Sequence, residues 1–374
     1  MKKRPSILII SDLFPLSEKD YAGIYVVDYA NSVKPWFDVA VFHPKLISPQ
    51  KGIGKKSLFG LEVTTYSYTN HPIGKLKKLV AYNAWFKQAT AIGSKIGKFD
   101  LIHAHGSALA GNVARRIAKL QNIPYVITEH TGPFSTISDN KMRLKYCKTA
   151  VQDAAALLNV SLHSQQEMNS AGVSHSKQQV TFNPINDDLF KLGSAVRKKQ
   201  FSFVSRFDEF KGGLRTVKAF YDAGLTDFGW SLVMVGEGEE LNQITEFVKK
   251  YQLSSVSVLG FQTKEKIVDI MQESAAFVFP SRHETFGLVV AESLACGTPV
   301  ICTNQTAPSE YTDANSCIPI NPESIEEIGG AMLRIANQGD GFNHEVIARR
   351  TKEAFGLEAF GAKLKDIYLQ HIQS

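Results

Sequence analysis

Cysteine is scarce in this sequence: four residues in 374, at positions 147, 296, 302 and 317, and no two of them form a C-x-x-C pair. This excludes a disulfide-stapled scaffold and a thiolate zinc site, and predicts reduced thiols. Cys296 and Cys302 bracket a turn and are expected as small core residues. Long apolar runs are also missing, none nearing the ~20 residues of a membrane-spanning helix. There is no internal repeat, no low-complexity tract and no D-x-D triplet. Lys2-Lys3-Arg4 imitates the basic end of a signal peptide. The apolar stretch that follows, Ile7-Leu8-Ile9-Ile10, is too short for one and ends at Ser11-Asp12. It reads as a first buried strand, and the chain as cytoplasmic.

What is present suits two α/β domains better than one core. Apolar residues make up 44% and charged residues 21%. The net charge of +6 is unevenly divided. Residues 1–180 carry 23 Lys and Arg against 11 Asp and Glu, and the remainder 19 against 25. The basic first half suits anionic lipid head groups or a phosphorylated acceptor, or is a solvated face without a partner. Nothing in the pattern suggests nucleic acid.

Apolar β-branched runs alternate with helical periods. Ile7–Ile10, Val39–His43, Leu101–His105, Tyr125–Thr128 and Ala156–Val160 read as parallel strands. Tyr25–Val33, Lys75–Ile92, Leu109–Leu120 and Lys141–Ala156 read as helices. A polar stretch, 178–200, precedes a second α/β series. Its strands are Phe201–Ser205, Ser231–Val235, Val256–Leu259, Ala276–Phe279 and Val300–Thr303. Its helices are Leu214–Ala223, Leu241–Tyr251, Lys264–Gln272 and Leu288–Cys296. Lys352–His371 reads as one further helix. The division expected is a first domain at 1–182 with a C-terminal helix, 355–374, returning to it, and a second domain at 183–354. Each domain is expected to be a doubly wound sheet, with ligands beyond the carboxyl ends of its strands.

The most informative stretch runs from Phe279 to Val300. A buried strand ends at Pro280, a loop follows through Gly287, and a helix starts there. Gly297 suits the left-handed position after that helix, and Pro299 cannot continue it. The helix start offers free N–H groups to a phosphate. Glu284 lies before the helix and Glu292 inside it. Carboxylates beside a phosphate site make sense as acceptors for sugar and ribose hydroxyls; singly, each would read as solvated surface. Arg206 and Lys211, five apart after a strand, can grip a diphosphate. Val235-Gly236-Glu237-Gly238-Glu239 forms a glycine-flanked turn, and Leu259-Gly260-Phe261 another.

This stretch, with Glu284 and Glu292 eight apart, resembles the E-x7-E signature of retaining GT-B glycosyltransferases, most closely glycosyltransferase family 4. Phe203–Phe207 with Lys211-Gly212 resembles the family's G-R-x…K-G element, with Ser205 in place of the usual Gly. Asp100–His105 resembles D-x-I-H-x-H, Ile127–His130 resembles T-x-H, and Tyr21–Ile24 stands where relatives have Gly-Gly. The resemblance covers almost the whole chain.

It implies a GT-B fold and sugar transfer from a UDP- or GDP-sugar with retention. Glu292 then binds ribose, and Glu284 binds donor-sugar hydroxyls. Ser281, Thr285, Phe286, Gly287 and Leu288 hold the diphosphate and sugar, and Gly236, Gly260 and Phe261 flank the nucleotide. Arg206 and Lys211 take the leaving group, His130 reaches the sugar, and Gly23 approaches the diphosphate. The resemblance implies no cofactor and no metal. His103 and His105 share a strand face without a nearby Cys or paired carboxylate in the sequence, which gives no metal set.

The acceptor is expected to be a glycan, a lipid-linked sugar or a small molecule, as in cell-surface polysaccharide or glycolipid assembly. Lys75–Lys87, where Lys75, Lys77, Lys78 and Lys87 alternate with Leu76, Leu79, Val80, Trp85 and Phe86, is either an interfacial helix on the inner membrane face or a core-packed one. Two other activities share the architecture: nucleotide-sugar epimerisation, and nucleotide-sugar binding without turnover.

Overall fold

The β-branched runs become central strands because both faces of a parallel sheet are covered by helices. In a computed structural model, residues 4–18, 20–48, 50–69, 71, 74, 78–193, 196–339 and 341–372 are described. They divide into two units, Met1–Pro184 with Leu357–Ser374, and Ile185–Gly356. The expected divisions, 182/183 and 354/355, fall two residues short of these.

The first unit runs β1 (Ser6–Ser11), α1 (Ile24–Val33), β2 (Asp38–Ile47), β3 (Gly52–Leu58), β4 (Leu61–Thr69), α2 (Lys78–Gly93), β5 (Leu101–His105), α3 (Ala110–Gln121), β6 (Tyr125–Glu129), α4 (Ser135–Ser138), α5 (Lys141–Gln152), β7 (Ala156–Asn159), α6 (Leu162–Ser170) and β8 (Gln178–Val180). The strand order is β3-β4-β2-β1-β5-β6-β7-β8. Only β3 runs antiparallel, against β4. β3 and β4 escape the sequence reading because β3 is a lysine-bearing edge with little apolar content. Its hairpin closes through Phe59 and Gly60, both at positive φ (53° and 68°), which is the turn that matches strand twist.

Leu8, Ile10, Ile102 and Ile127 face a core closed by α2, α3 and α5, while Ile7, Ile9 and Leu101 face α1. Trp85 and Phe86 belong to the first of these cores, so they are not available to a membrane surface. Leu79 and Val80 remain exposed. Lys75, Leu76 and Lys77 lie outside the described residues.

The second unit runs β9 (Lys198–Val204), α7 (Gly213–Asp222), β10 (Ser231–Val235), α8 (Leu241–Lys250), β11 (Val256–Val258), α9 (Lys264–Glu273), β12 (Ser274–Phe279), α10 (Leu288–Ala295), β13 (Val300–Thr303), β14 (Cys317–Ile320), α11 (Ile325–Gln338) and α12 (His344–Phe355). Its sheet, β11-β10-β9-β12-β13-β14, is parallel throughout. All four cysteines are buried and unbridged.

The last helix is two helices rather than one. At Gly356 the backbone turns extended (φ −57°, ψ 152°), and Gly356 bridges to Ile185. A Cβ there would stand 2.6 Å from the Lys352 carbonyl oxygen. α13 (Leu357–Ile372) then belongs to the first unit, where it packs on α1. Among the described residues no helix is long and apolar enough to cross a membrane.

Candidate functional site

In the second unit the strand order reverses between β9 and β12. Open α/β sheets bind ligands beyond the carboxyl ends of such strands. The loop after β9 carries Arg206 and Lys211, and the loop after β12 carries Ser281 to Gly287. The two loops are stitched together. The Arg282 N–H donates to the Phe210 carbonyl at 2.8 Å, and the Arg282 guanidinium pairs with Glu209 at 2.5 Å and with Glu323. The Ser281 hydroxyl is buried and donates to the His283 carbonyl at 3.1 Å, so it shapes the loop.

Gly287 (φ 81°) caps α10 in the left-handed region, which a side chain would strain. The hydroxyl of the half-buried Tyr311 donates toward the carbonyls of Phe286 (2.8 Å) and Gly287 (3.1 Å) and braces the turn. The Phe286 ring lies in the core against Tyr311 and Phe355. Any ligand contact from Phe286 therefore falls to its backbone. Thr285 and Leu288 are half-buried at the mouth of the turn. The first amides of α10 lack intrahelical acceptors and carry the positive end of its dipole.

Each signature carboxylate is held by its own lysine. Glu284 is 8% exposed, and its Oε1 lies 2.6 Å from Lys211 Nζ. Glu292 is 6% exposed, and its Oε1 lies 3.3 Å from Lys264 Nζ. Burial raises the Glu292 pKa above the usual carboxylate range, and Lys264 pulls it back in part. Lys264 went unremarked in the sequence. It opens α9 directly after the Thr263 cap, the same strand-to-helix position that marked the other candidates.

Arg206 and Lys211 do not act alike in this structure. Lys211 turns inward to Glu284, whereas the Arg206 side chain is 78% exposed and pairs with Asp208 at 3.1 Å. Asp208 also accepts from the Lys211 backbone N–H at 3.0 Å, so one carboxylate sets both residues. A Cβ on Gly236 would stand 1.8 Å from the Ser205 carbonyl oxygen, so only glycine lets this turn lie on the β9 loop. The Gly236 N–H donates to the Gly260 carbonyl at 2.9 Å, joining the two glycine turns, and Phe261 is exposed beside them.

The first unit has its own cluster at the ends of β5 and β6. His105 Nδ1 lies 2.9 Å from His130 Nε2, and the two rings stack at 5.1 Å. His103 meets the Tyr368 hydroxyl at 2.6 Å and the Thr128 hydroxyl at 2.7 Å, which occupies both its nitrogens and leaves none for a metal. Burial pushes His103 and His130 down to about 3, and His105 well below its usual value. All three rings are therefore neutral near pH 7.

Glu129, the sequence neighbour of His130, is brought by the fold to the end of β5 as well. It is buried and accepts from the N–H groups of His130 (2.9 Å), Thr131 (2.8 Å) and Ser107 (2.9 Å). It fixes the backbone that carries His130. Asp12, after β1, is pushed up to about 6 by burial and by the nearby Glu129 charge. Gly23 caps α1 against the Leu13 carbonyl.

Two Rossmann-like parallel sheets, the second with a glycine-capped helix and lysine-held carboxylates at its switch point, match the GT-B class of sugar-transferring enzymes. Residues 184–353 match the family "Glycosyl transferases group 1", and residues 37–189 match "Glycosyltransferase Family 4". Between them these matches run almost the length of the chain, and the chain belongs to this family of glycosyltransferases.

An uncharacterized glycosyltransferase of Methanocaldococcus jannaschii is 26% identical over 262 residues, 66% of this chain and 72% of that one. The GDP-mannose:cellobiosyl-diphosphopolyprenol alpha-mannosyltransferase of Xanthomonas campestris is 21% identical over 271 residues, 70% of each chain. Among solved structures, sucrose-phosphate synthase of Thermosynechococcus elongatus aligns with a TM-score of 0.77 at 21% identity, covering 98% of this chain and 99% of that one. HepE of Anabaena in complex with UDP-glucose aligns at 0.73 and 16%, covering 97% and 99%.

Proposed function

We propose that the chain transfers a hexose from a nucleotide-sugar, with retention, to an acceptor in cell-surface polysaccharide or glycolipid assembly. The observation that carries this is the pairing of Lys211 with Glu284, and of Lys264 with Glu292, at the β9–β12 switch point beside the amide end of α10. Donor binding divides the first pair: Lys211 moves to the diphosphate and Glu284 accepts from sugar hydroxyls. Glu292 accepts from the ribose, where one carboxylate can take two O–H donors.

As the glycosidic bond breaks, charge builds on the leaving phosphate. Lys211, Arg206 and the α10 amides, set in place beforehand, stabilise it. The α10 amides of the Gly287 turn, the backbone of Phe286 and Leu288, and Thr285 carry the diphosphate and sugar; Ser281, buried and bonded to the His283 carbonyl, shapes their loop instead of touching the ligand, while Gly236, Gly260 and Phe261 flank the nucleotide. The same reading gives His130 a contact to the donor sugar and Gly23 one to its diphosphate. The leaving phosphate takes the acceptor proton on the same face, so no protein nucleophile and no metal is required. The acceptor is a glycan, a lipid-linked sugar or a small molecule. One relative named for a cellobiosyl-diphosphopolyprenol acceptor and another named for teichuronic acid biosynthesis support the lipid-linked and polysaccharide options.

The test is a thermal-shift screen against UDP- and GDP-sugars, followed by proton NMR of the product. A specific donor should raise Tm by mass action, and the product should keep the donor's anomeric configuration. Conversion of the donor alone to an epimer would replace this reading with an epimerase. Saturation without turnover across acceptors would replace it with a binding protein.

A further inference from the structure

The donor reading leaves unused a second concave feature, a cavity of about 420 Å³ along β2, β3 and β4 of the first unit. Lys45, Lys51 and Lys56 line it with His43, Thr65 and Ser67, and no acidic residue is among the described residues that line it. Lys56 donates to the Leu16 carbonyl, which leaves its other N–H groups available. Asp20 is the carboxylate whose charge bears on His43, and it already accepts from the N–H groups of Leu16 and Ala22.

His43 sets the chemistry. It is 1% exposed, and its Nδ1 lies 2.7 Å from the Ser11 carbonyl oxygen. A carbonyl only accepts, so Nδ1 carries the proton. In the neutral ring Nε2 then presents a lone pair. Burial holds His43 down at about 4, and Lys45 and Lys56 push the same way, so the ring is neutral at pH 7. Nε2 is buried and has no hydrogen-bond partner among the described residues. Native interiors rarely leave such an acceptor unpaired without a reason.

The pocket lining combines the ammonium groups of Lys45, Lys51 and Lys56 with the hydroxyls of Thr65 and Ser67 and the lone pair on His43 Nε2. The ammonium groups favour a negative charge, and the Nε2 lone pair needs an O–H or N–H donor. A ligand with both a negative charge and an adjacent hydroxyl meets both demands. We propose that this pocket binds an acidic carbohydrate, one carrying a phosphate or carboxylate beside free hydroxyls, as part of the acceptor. The acceptor clause rests on the transferase reading above; the binding site does not. The basic charge of residues 1–180, 23 Lys and Arg against 11 Asp and Glu, would draw such a ligand toward this unit.

The experiment is calorimetric titration of the full chain at pH 7 with glucose 6-phosphate, glucuronate, inorganic sulfate (an anion with no O–H) and glucose. At least one of the first two should bind tenfold or more tighter than sulfate and glucose, and which one does identifies the anionic group. The Lys45→Ala/Lys51→Ala double variant should weaken that ligand tenfold or more. His43→Asn keeps a donor for the Ser11 carbonyl and removes the Nε2 acceptor. It should abolish the advantage over sulfate and leave sulfate binding itself unchanged, with the thermal melt reporting that the fold persists. Equal affinity for sulfate and the acidic sugars, or an acidic-sugar affinity untouched by the lysine variant, would overturn the proposal. UDP titrated into the same preparations separates the two readings. UDP binding retained while acidic sugars fail overturns the pocket alone, and acidic-sugar binding without any nucleoside diphosphate or donor binding overturns its acceptor role.

Discussion

The two units share a parallel-sheet plan but differ in how they keep their site residues from water. The first withdraws histidines, His43, His103 and His105 fully and His130 in part, and burial strips their charge, while its buried Glu129 is held by backbone N–H groups. The second buries the signature carboxylates Glu284 and Glu292 and pairs each with a lysine. A buried group either gives up its charge or finds a partner for it, and the histidines and the signature carboxylates take one solution each. A neutral histidine can pass a hydrogen bond to a ligand at little electrostatic cost. A paired carboxylate must exchange its lysine for the ligand, which suits a site that opens its ion pair to bind.

The largest expected effect breaks one of those pairs. Lys211→Ala should slow turnover about 10²–10³-fold, the cost of one preorganised charge stabiliser. It should also lower stability by about 3–5 kcal/mol, because Glu284 is left buried alone. Adding Glu284→Leu should recover stability in denaturant titration but not turnover. Glu292→Ala comes next: loss of charged hydrogen bonds to ribose, about 1.5–3 kcal/mol, should weaken nucleotide binding ten- to hundredfold by calorimetry. Gly236→Ala, which overlaps the Ser205 carbonyl, should cost about 1–3 kcal/mol in the same denaturant assay.

The neutral histidines give the fourth prediction. Their folded pKa values are depressed, so the stability they contribute is present above their unfolded value of 6.5 and is lost as pH falls toward 3 or 4. Asp12, raised to about 6, has the opposite sign: its contribution is present below 3.8 and is lost as pH rises through 6. Glu292, raised by burial, shares Asp12's sign, while His371, Asp153, Asp313 and Glu323, all lowered, side with the four histidines. Stability should therefore fall on acidification from pH 6.5, at up to about 1.4 kcal/mol per pH unit for each histidine that titrates. A flat Tm between pH 6.5 and 4 would contradict this. The smallest effect is Arg206→Ala, an exposed ion pair: stability should change by no more than about 0.5 kcal/mol while turnover falls, which separates its chemical role from a structural one.

The site of the second unit was legible because it is local. Strand, loop and helix follow one another from Phe279 to Cys296, so sequence neighbours are spatial neighbours. Lys264 and Tyr311 were not legible, because each reaches the site from an element distant in sequence. Glu129 looked like any residue beside a histidine, and only the fold shows that it gathers three backbone N–H groups. In the fold, apolar runs such as Leu101–His105 gave strand limits to the residue. The β3–β4 hairpin escaped because an edge strand bearing Lys55 and Lys56 carries no apolar alternation. The break at Gly356 escaped because helical periodicity continues on both sides of it, and its cause, pairing with Ile185, is long-range.

The position of the donor decides among these outcomes, and a crystal structure with a bound nucleoside diphosphate measures it directly. The diphosphate is expected on the first amides of α10 at Gly287 and Leu288, the ribose on Glu292, and Lys211 released from Glu284. Density for the nucleotide away from the β9–β12 switch point, with the Lys211–Glu284 pair intact, would contradict it.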